Sequence, residues 1–215
     1  MTLLPAYRRV HLRILARAAV ADTAHLALAL ARALAHHGPV DVYQHGPYHK
    51  EPELLEFTAV LEPTGRADEC VAALRASATG WHDDEVGTVW ARPPSRAELL
   101  DPAVEWLALY SAQAATLPRY GTGEIVRILA SPLARGEDLV DHDAEVLSAA
   151  APTVGSEPWS YAVMPLSWDT VIYFPEPDLA PTGRQVPPQG DPIPVLGVQP
   201  DATVTDHPTL VVPYR

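Results

Sequence analysis

Cysteine is almost missing from this sequence: Cys70 is the one thiol among 215 residues. A single thiol can form no internal disulfide, and it cannot supply the ligand set of a cysteine-based metal site. Uninterrupted apolar runs of about 18 residues are also missing, and residues 1–17 lack the charged and then apolar layout of a signal peptide. We therefore expect a soluble, cytoplasmic protein with no membrane partner.

Positive charge is scarce as well. The chain carries 15 lysines and arginines against 27 aspartates and glutamates, a formal net charge of −12, and Lys50 is its only lysine. This excess of arginine over lysine, with abundant alanine, indicates the codon bias of a GC-rich genome, as in many bacteria. Nucleic-acid binding depends on a cationic surface that neutralises phosphates, so we expect no nucleic-acid partner. A strongly acidic surface instead favours association with a basic protein.

The N-terminal part of the chain alternates between the two hydrophobic periods of regular secondary structure. The periods predict helices over 22–36 and 67–76, and strands over 9–15, 40–44, 54–61 and 85–91. This order of elements is that of the split βαβ, ferredoxin-like arrangement, in which the first strand lies between the third and the fourth. We therefore predict an α+β fold with a ferredoxin-like unit over residues 1–94, whose antiparallel sheet has one open face.

Prolines distinguish the C-terminal part, because 13 of the 23 follow residue 150. Proline has no amide donor and disrupts helix interiors, so this part cannot be built like the first. We predict a smaller α/β unit over 95–215 that packs with the first as one compact body and ends in a proline-rich, β-leaning segment packed on that body. Its predicted elements are a helix over 138–150, an ambiguous segment over 124–130, and strands over 103–111, 159–165, 170–174, 196–198 and 210–212.

Arginine and histidine side chains alternate with apolar residues on the first predicted strand. Arg9, His11 and Arg13 would share the open face of the sheet. The two arginines could bind an anion there, or could pair with Glu56 and Glu62 across the sheet, which is the interpretation we favour. His11 on the same face is a candidate for acid–base catalysis.

Other combinations of residues give weaker chemical signals. Asp83 and Asp84 could act as paired carboxylates in catalysis, but acids at the entry of a strand usually form a solvated turn. His45 and His49 have the spacing of zinc ligands on a helix, yet Gly46 and Pro47 between them argue against a helix. We therefore predict no catalytic residue, no metal site and no cofactor, with ordinary loop and helix-end histidines over 36–49.

Aromatic residues favour a binding role. The chain has 5 tryptophans and 8 tyrosines but only 2 phenylalanines, and Trp159, Tyr161, Trp168 and Tyr173 follow one another closely. Such side chains either anchor a core or act as exposed hot spots of an interface. The predicted binding residues are two of these tryptophans and two acidic pairs: Trp159, Trp168, Asp83, Asp84, Asp141 and Asp143.

Two functions from different classes follow from these observations. The first is a non-enzymatic, acidic module that binds a protein with a basic surface. Bacterial immunity proteins that neutralise a basic nuclease toxin have this charge and size, and the comparison rests on those two properties. The alternative is a small enzyme or small-molecule binder that uses Arg9, His11 and Arg13 on the open sheet face for an anionic ligand.

Overall fold

The computed structural model describes residues 4–84, 87–91, 99–152, 158–187 and 192–210. It is 48% strand and 20% helix, so the fold is a β-rich α+β fold dominated by antiparallel sheet. The chain forms two compact units: unit 1 comprises Met1–Gln113 and Pro192–Thr209, and unit 2 comprises Ala114–Asp191 and Leu210–Arg215. The boundary expected after residue 94 falls within 92–98, outside the described residues.

Within the ranges given above, the two units contain thirteen strands and three α-helices. In chain order they are β1 (Tyr7–Arg17), α1 (Thr23–Leu34), β2 (Val40–Tyr48), β3 (Glu51–Leu61), α2 (Ala67–Ala76), β4 (Trp81–Asp84), β5 (Gly87–Ala91), β6 (Val104–Ala114), β7 (Glu124–Ile128), α3 (Pro132–Gly136), β8 (Asp143–Ala150), β9 (Ser160–Pro165), β10 (Ile172–Pro175), β11 (Leu179–Gln185), β12 (Pro192–Val198) and β13 (Val204–Leu210). No helix in the described ranges has the length and apolar character needed to cross a membrane.

The core of unit 1 lies on one face of an eight-stranded sheet. Val10, Leu12 and Ile14 of β1 and Phe57 and Leu61 of β3 are buried, because alternate residues of a strand point to the same side. α1 packs on this face with a stripe of apolar residues that recur every three or four positions. The buried residues of that stripe are Leu26, Ala27, Leu30, Ala31 and Leu34. Arg9, His11 and Arg13 of β1 therefore belong to the opposite face.

The strand order in unit 1 is β13-β12-β2-β3-β1-β6-β5-β4. β1 pairs antiparallel with β3, and β3 pairs antiparallel with β2. The strand expected beside β1 is β5, but β6 occupies that position, and β5 lies one strand further out in a hairpin with β4. β4 has only four residues, which is too short a run to show an alternating pattern, so the sequence did not reveal the hairpin.

The proline-rich segment joins the edge of this sheet. β12 pairs antiparallel with β2, and the paired residues begin at Val195, after both prolines of the strand. The ladder therefore does not need a donor from Pro192 or Pro194. The strand predicted over 196–198 lies within β12. In the described sheet β12 is an inner strand, because β13 lies outside it.

Unit 2 is built on a five-stranded sheet with the order β10-β9-β8-β7-β11. The helix predicted over 138–150 is wrong: residues 143–150 form β8, which pairs antiparallel with both β7 and β9. Its alanines, leucine and glutamate favour a helix, but pairing on both sides and burial of Ala144 and Val146 override this propensity. The ambiguous segment over 124–130 contains the strand β7, which ends at Ile128.

Gly38 connects the end of α1 to β2 and has a backbone that only glycine adopts easily. Its φ is 154°, and a Cβ at this position would lie 2.1 Å from the carbonyl oxygen of Glu62. Next to it, the Glu62 amide donates to the Pro39 carbonyl at 2.8 Å. The absence of a side chain thus lets β2 start directly against the end of β3.

We predict that Gly38→Ala lowers the free energy of unfolding by about 2 kcal/mol or more, because it adds both backbone strain and a backbone clash. Urea denaturation of the purified protein measures this change. Gly121→Ala is the matched control, since a Cβ there meets no atom within 4 Å. A Gly38→Ala variant as stable as the control would contradict the close approach to Glu62.

Candidate functional site

The open face of unit 1 collects polar and aromatic side chains from neighbouring strands. Arg9, His11 and Arg13 lie on this face, opposite the buried residues of β1. Register pairs place His11 beside Val60 and Arg13 beside Thr58 on β3. We call the set formed by these residues and the rings around them the aromatic–arginine patch: Tyr7, Arg9, His11, Arg13, Tyr48, Trp106 and Tyr110.

Arg13 is held firmly within this patch. Its Nε donates to Glu56 Oε1 at 2.7 Å, which is the cross-sheet pairing expected from the sequence. The guanidinium also lies 5.4 Å from the centre of the Tyr48 ring and 6.0 Å from that of Trp106. A carboxylate and two π faces already satisfy this cation, so it has little capacity left for an anionic ligand.

Arg9 differs from Arg13, because no carboxylate within the described residues forms an ion pair with it. Its guanidinium lies 5.3 Å from the centre of the Tyr7 ring. Leu61 at the end of β3 is the partner of Val10 in the ladder. Glu62 follows it and so brings a negative charge to the position directly after β3. A single exposed arginine beside an acidic residue gives weak support for an anion site.

His11 stacks on Tyr110, with ring centres 4.9 Å apart and ring planes 4° from parallel. Burial, helped by the positive charge of Arg9, lowers the pKa of His11 to about 4. The imidazole is therefore neutral at pH 7. It can accept or donate a hydrogen bond, but its pKa lies too far below neutral pH for efficient proton transfer.

The structure does not bring His11 and Asp83 together. β4 is three strands away from β1, which corresponds to roughly 14 Å across a sheet. Asp83 also pairs with Arg75 of α2 at 3.3 Å and accepts from Thr88 Oγ1 at 2.9 Å, so it lies on the helix side. The side chain of Asp84 is outside the described part. The separate catalytic candidates considered from the sequence therefore do not form one site around His11.

The histidines over 36–49 do not converge either. Within the part of the chain that the structure describes, no group of three or more histidine, cysteine or acidic side chains is placed to hold a metal ion. His45 instead bonds to Thr58 Oγ1 at 2.9 Å, and His36 and His37 contact each other at the end of α1. Cys70 is buried, which raises the pKa of its thiol to about 11 and makes it unreactive.

The lowered pKa of His11 gives a stability prediction. Below pH 6.5 the unfolded chain takes up a proton at His11, while the folded chain does so only near pH 4. Stability is thus complete above pH 6.5 and decreases as the pH falls. We expect the protonation of this residue alone to lower the free energy of unfolding by about 2 kcal/mol between pH 7 and pH 4.5.

Urea unfolding at both pH values, for the wild type and for His11→Phe, measures this cost. Phenylalanine keeps an aromatic ring against Tyr110 but cannot take up a proton. The variant should therefore lose about 2 kcal/mol less than the wild type over this interval. Equal losses in the two proteins would show that His11 titrates normally.

Unit 2 exposes a cluster of large apolar side chains where β9 turns into β10. Leu166 is 54% exposed, Trp168 37%, Val171 37% and Tyr173 63%. Asp169 is exposed between them. We call these five residues the hairpin surface. Of the five, the sequence-based set contained only Trp168, although the close spacing of tryptophan and tyrosine pointed to this part of the chain.

The acidic residues Asp141 and Asp143 lie next to the start of this hairpin. The Leu166 amide donates to the Asp143 carbonyl at 3.0 Å. The Asp143 carboxylate pairs with both Arg127 and Arg184, and these contacts, led by the hydrogen bond from Arg127, lower its pKa. Asp141 is exposed, in a turn with φ 64°. Asp143 therefore cross-links three strands, and Asp141 contributes charge beside the hairpin surface.

Trp159, by contrast, is a core residue. It is 3% exposed, and its Nε1 donates to the Thr116 carbonyl at 3.2 Å. It cannot contact a partner as expected from the sequence, because the packing of unit 2 covers it. Of the predicted binding residues, Trp168, Asp141 and Asp143 lie at this hairpin, while Asp83 and Asp84 belong to unit 1.

A buried tyrosine supports the same sheet. Tyr161 accepts from the amides of Arg119 and Tyr120 at 2.7 and 3.3 Å, and it donates to Glu176 Oε2 at 2.9 Å. Burial raises the pKa of Tyr161 to about 12, so the hydroxyl keeps its proton. This hydroxyl joins the segment before β7 to the segment after β10.

We predict that Tyr161→Phe destabilises the protein by about 2 kcal/mol, because it leaves two backbone amides without a partner. The control is Tyr173→Phe, which removes the hydroxyl of an exposed tyrosine in the same sheet and should change stability little. Chemical denaturation of the three proteins provides the comparison. If both variants were equally stable, the hydroxyl of Tyr161 would make no contribution to the stability of the protein.

Comparison of this chain with protein-family models, with curated proteins and with solved structures finds no match.

Proposed function

We propose that this protein is a non-enzymatic binding module that engages a basic partner protein through the hairpin surface of unit 2. The observation that carries the proposal is the exposure of four large apolar side chains within residues 166–173. A cluster of this kind on a folded protein is typical of an interaction site, because leaving it in water costs free energy that a partner can recover.

The composition of the hairpin surface fits a protein partner. Trp168 and Tyr173 belong to the residue types that dominate binding energy at protein interfaces, since each joins a large apolar area to a polar group. Asp169 lies within the surface. The net charge of −12 adds long-range attraction for a basic protein.

Inhibition of a basic toxin is the specific form of this proposal. An immunity-type inhibitor needs fast association, which the acidic charge supports, and an apolar anchor, which Trp168 supplies. Such an inhibitor would act in the cytoplasm of a bacterium that makes the toxin. For unit 1 we propose an enlarged ferredoxin-like unit, an assignment supported by its β2-β3-β1 strand order and its two helices on one face.

We predict that Trp168→Ala weakens partner binding at least about tenfold, the loss expected for a central aromatic anchor. The wild-type protein first captures its partner from an extract of the native cell, and the purified partner is then titrated by calorimetry. Raising the ionic strength should weaken binding further, because salt screens attraction between the acidic chain and a basic protein. The measured quantities are the two dissociation constants.

Tyr110→Ala serves as the matched control, because Tyr110 is an exposed aromatic residue of the other unit. This variant should bind as tightly as the wild type. If Tyr110→Ala lost affinity and Trp168→Ala kept it, the interface would lie on the aromatic–arginine patch. A native extract that yields no specific partner would contradict the proposed function as a whole.

A further inference from the structure

The β9–β10 hairpin presents different side chains on its two faces. Tyr161 and Phe174 are fully buried and face the core of unit 2. Their neighbours along each strand face outward, because successive residues of a strand point to opposite sides. Register pairs the exposed Tyr173 with Ala162, and the half-buried Met164 lies two residues further along β9. The outer face of the sheet therefore extends the hairpin surface through Met164 toward β8.

Glu145 lies on this outer face, at the border of the apolar side chains. It pairs with Met164 in the ladder between β8 and β9. Ala144 and Val146, on either side of it along β8, are 0% exposed and face the core. Glu145 itself is half-buried. Because paired residues of neighbouring strands contact each other on the same face, its side chain lies next to that of Met164 and keeps only part of its contact with water.

Two arginines of the neighbouring strands bind Asp143 and not Glu145. Arg127 of β7 and Arg184 of β11 each form an ion pair with one oxygen of the Asp143 carboxylate. Asp143 and Glu145 are two residues apart on β8, about 7 Å along the strand. Among the residues that the structure describes, Glu145 has no ion pair of its own. Its carboxylate is therefore available to a cation from outside the chain.

The energetic role of Glu145 changes when a partner covers the hairpin surface. In the free protein, water hydrates part of the carboxylate, and the charges of Glu145, Asp143 and the two arginines balance. In the complex, the apolar side chains around Glu145 exclude this water. A carboxylate that loses water without gaining a cation destabilises the complex, whereas a cation in direct contact offsets that cost where the local dielectric constant is low. Glu145 therefore favours one class of partner and disfavours others.

We propose that Glu145 is the specificity-determining residue of the hairpin surface. It pairs with a lysine or arginine that the partner places beside its apolar contacts with Met164 and Tyr173. The exposed Asp141 and Asp169 contribute long-range attraction instead, since water and salt screen them. This inference rests on the proposed function and deepens it, because it names the group that the partner must carry: a cation flanked by apolar side chains.

The test measures binding kinetics by surface plasmon resonance. The probe is the partner captured and purified as described above, immobilised on the sensor, and the full-length protein flows over it. Glu145→Gln keeps the shape of the side chain and removes its charge. Its dissociation rate constant should rise at least about tenfold with little change in the association rate constant, because the lost contact forms only after the two proteins have met.

Glu51→Gln is the matched control, since it makes the same change of net charge at an exposed position of unit 1. Its dissociation rate constant should equal that of the wild type. Thermal unfolding of each variant verifies that it folds.

Glu145→Leu separates a contact with a cation from a general cost of burying a carboxylate. Leucine extends the apolar surface, so a partner without a cation at this place would bind the variant more tightly than the wild type. A partner with a lysine or arginine there should dissociate faster, because its cation loses the carboxylate. A wild-type dissociation rate for Glu145→Gln, or wild-type or tighter binding by Glu145→Leu, would overturn the role of Glu145.

Trp168→Ala, measured on the same sensor, keeps this inference distinct from the proposed function. If Trp168→Ala weakens binding and the two Glu145 variants do not, the hairpin surface is the interface and only the role of Glu145 is wrong. If none of the three variants weakens binding, the proposed function is wrong as well. An extract that yields no specific partner overturns both.

Discussion

The antiparallel pairing of β1 with β3 sets the register on which unit 1 depends. In this register Val10, Leu12 and Ile14 face the helices, and His11 and Arg13 face the other side. A shift of one residue would turn two cationic or polar side chains into the core and expose the apolar ones, at a cost far above ordinary protein stability. β2 and β6 extend the sheet on either side of this central pair.

The two candidate surfaces differ in how many of their polar and apolar groups already have partners within the protein. In the aromatic–arginine patch, Arg13 has Glu56 and two aromatic faces, and His11 has Tyr110. The hairpin surface of unit 2 keeps its apolar area in contact with water. Because binding free energy comes from groups that gain better contacts than water offers, we propose the hairpin surface, and not the patch, as the binding site.

Local pattern was a good guide where a segment interacts mainly with itself. α2 forms over the predicted residues, and β1, β3 and β9 lie within a few residues of the expected ranges. The local pattern gave the wrong element where pairing with neighbouring strands determines the structure. The segment over 143–150 has helix-forming residues, yet it pairs with strands on both sides. The position of β6 beside β1 depends on contacts between distant parts of the chain, which no local period encodes.

The sequence alone determined the acidic charge, the lack of disulfides, the alternation that puts Arg9, His11 and Arg13 on one face, and the closely spaced tryptophans and tyrosines. Only the tertiary structure decided which aromatic residues are available to a partner. Trp159 and Trp168 lie nine positions apart in similar sequence surroundings, but packing covers the first and a hairpin turn exposes the second. Exposure is a property of what the rest of the fold places over a side chain, so composition and spacing cannot determine it.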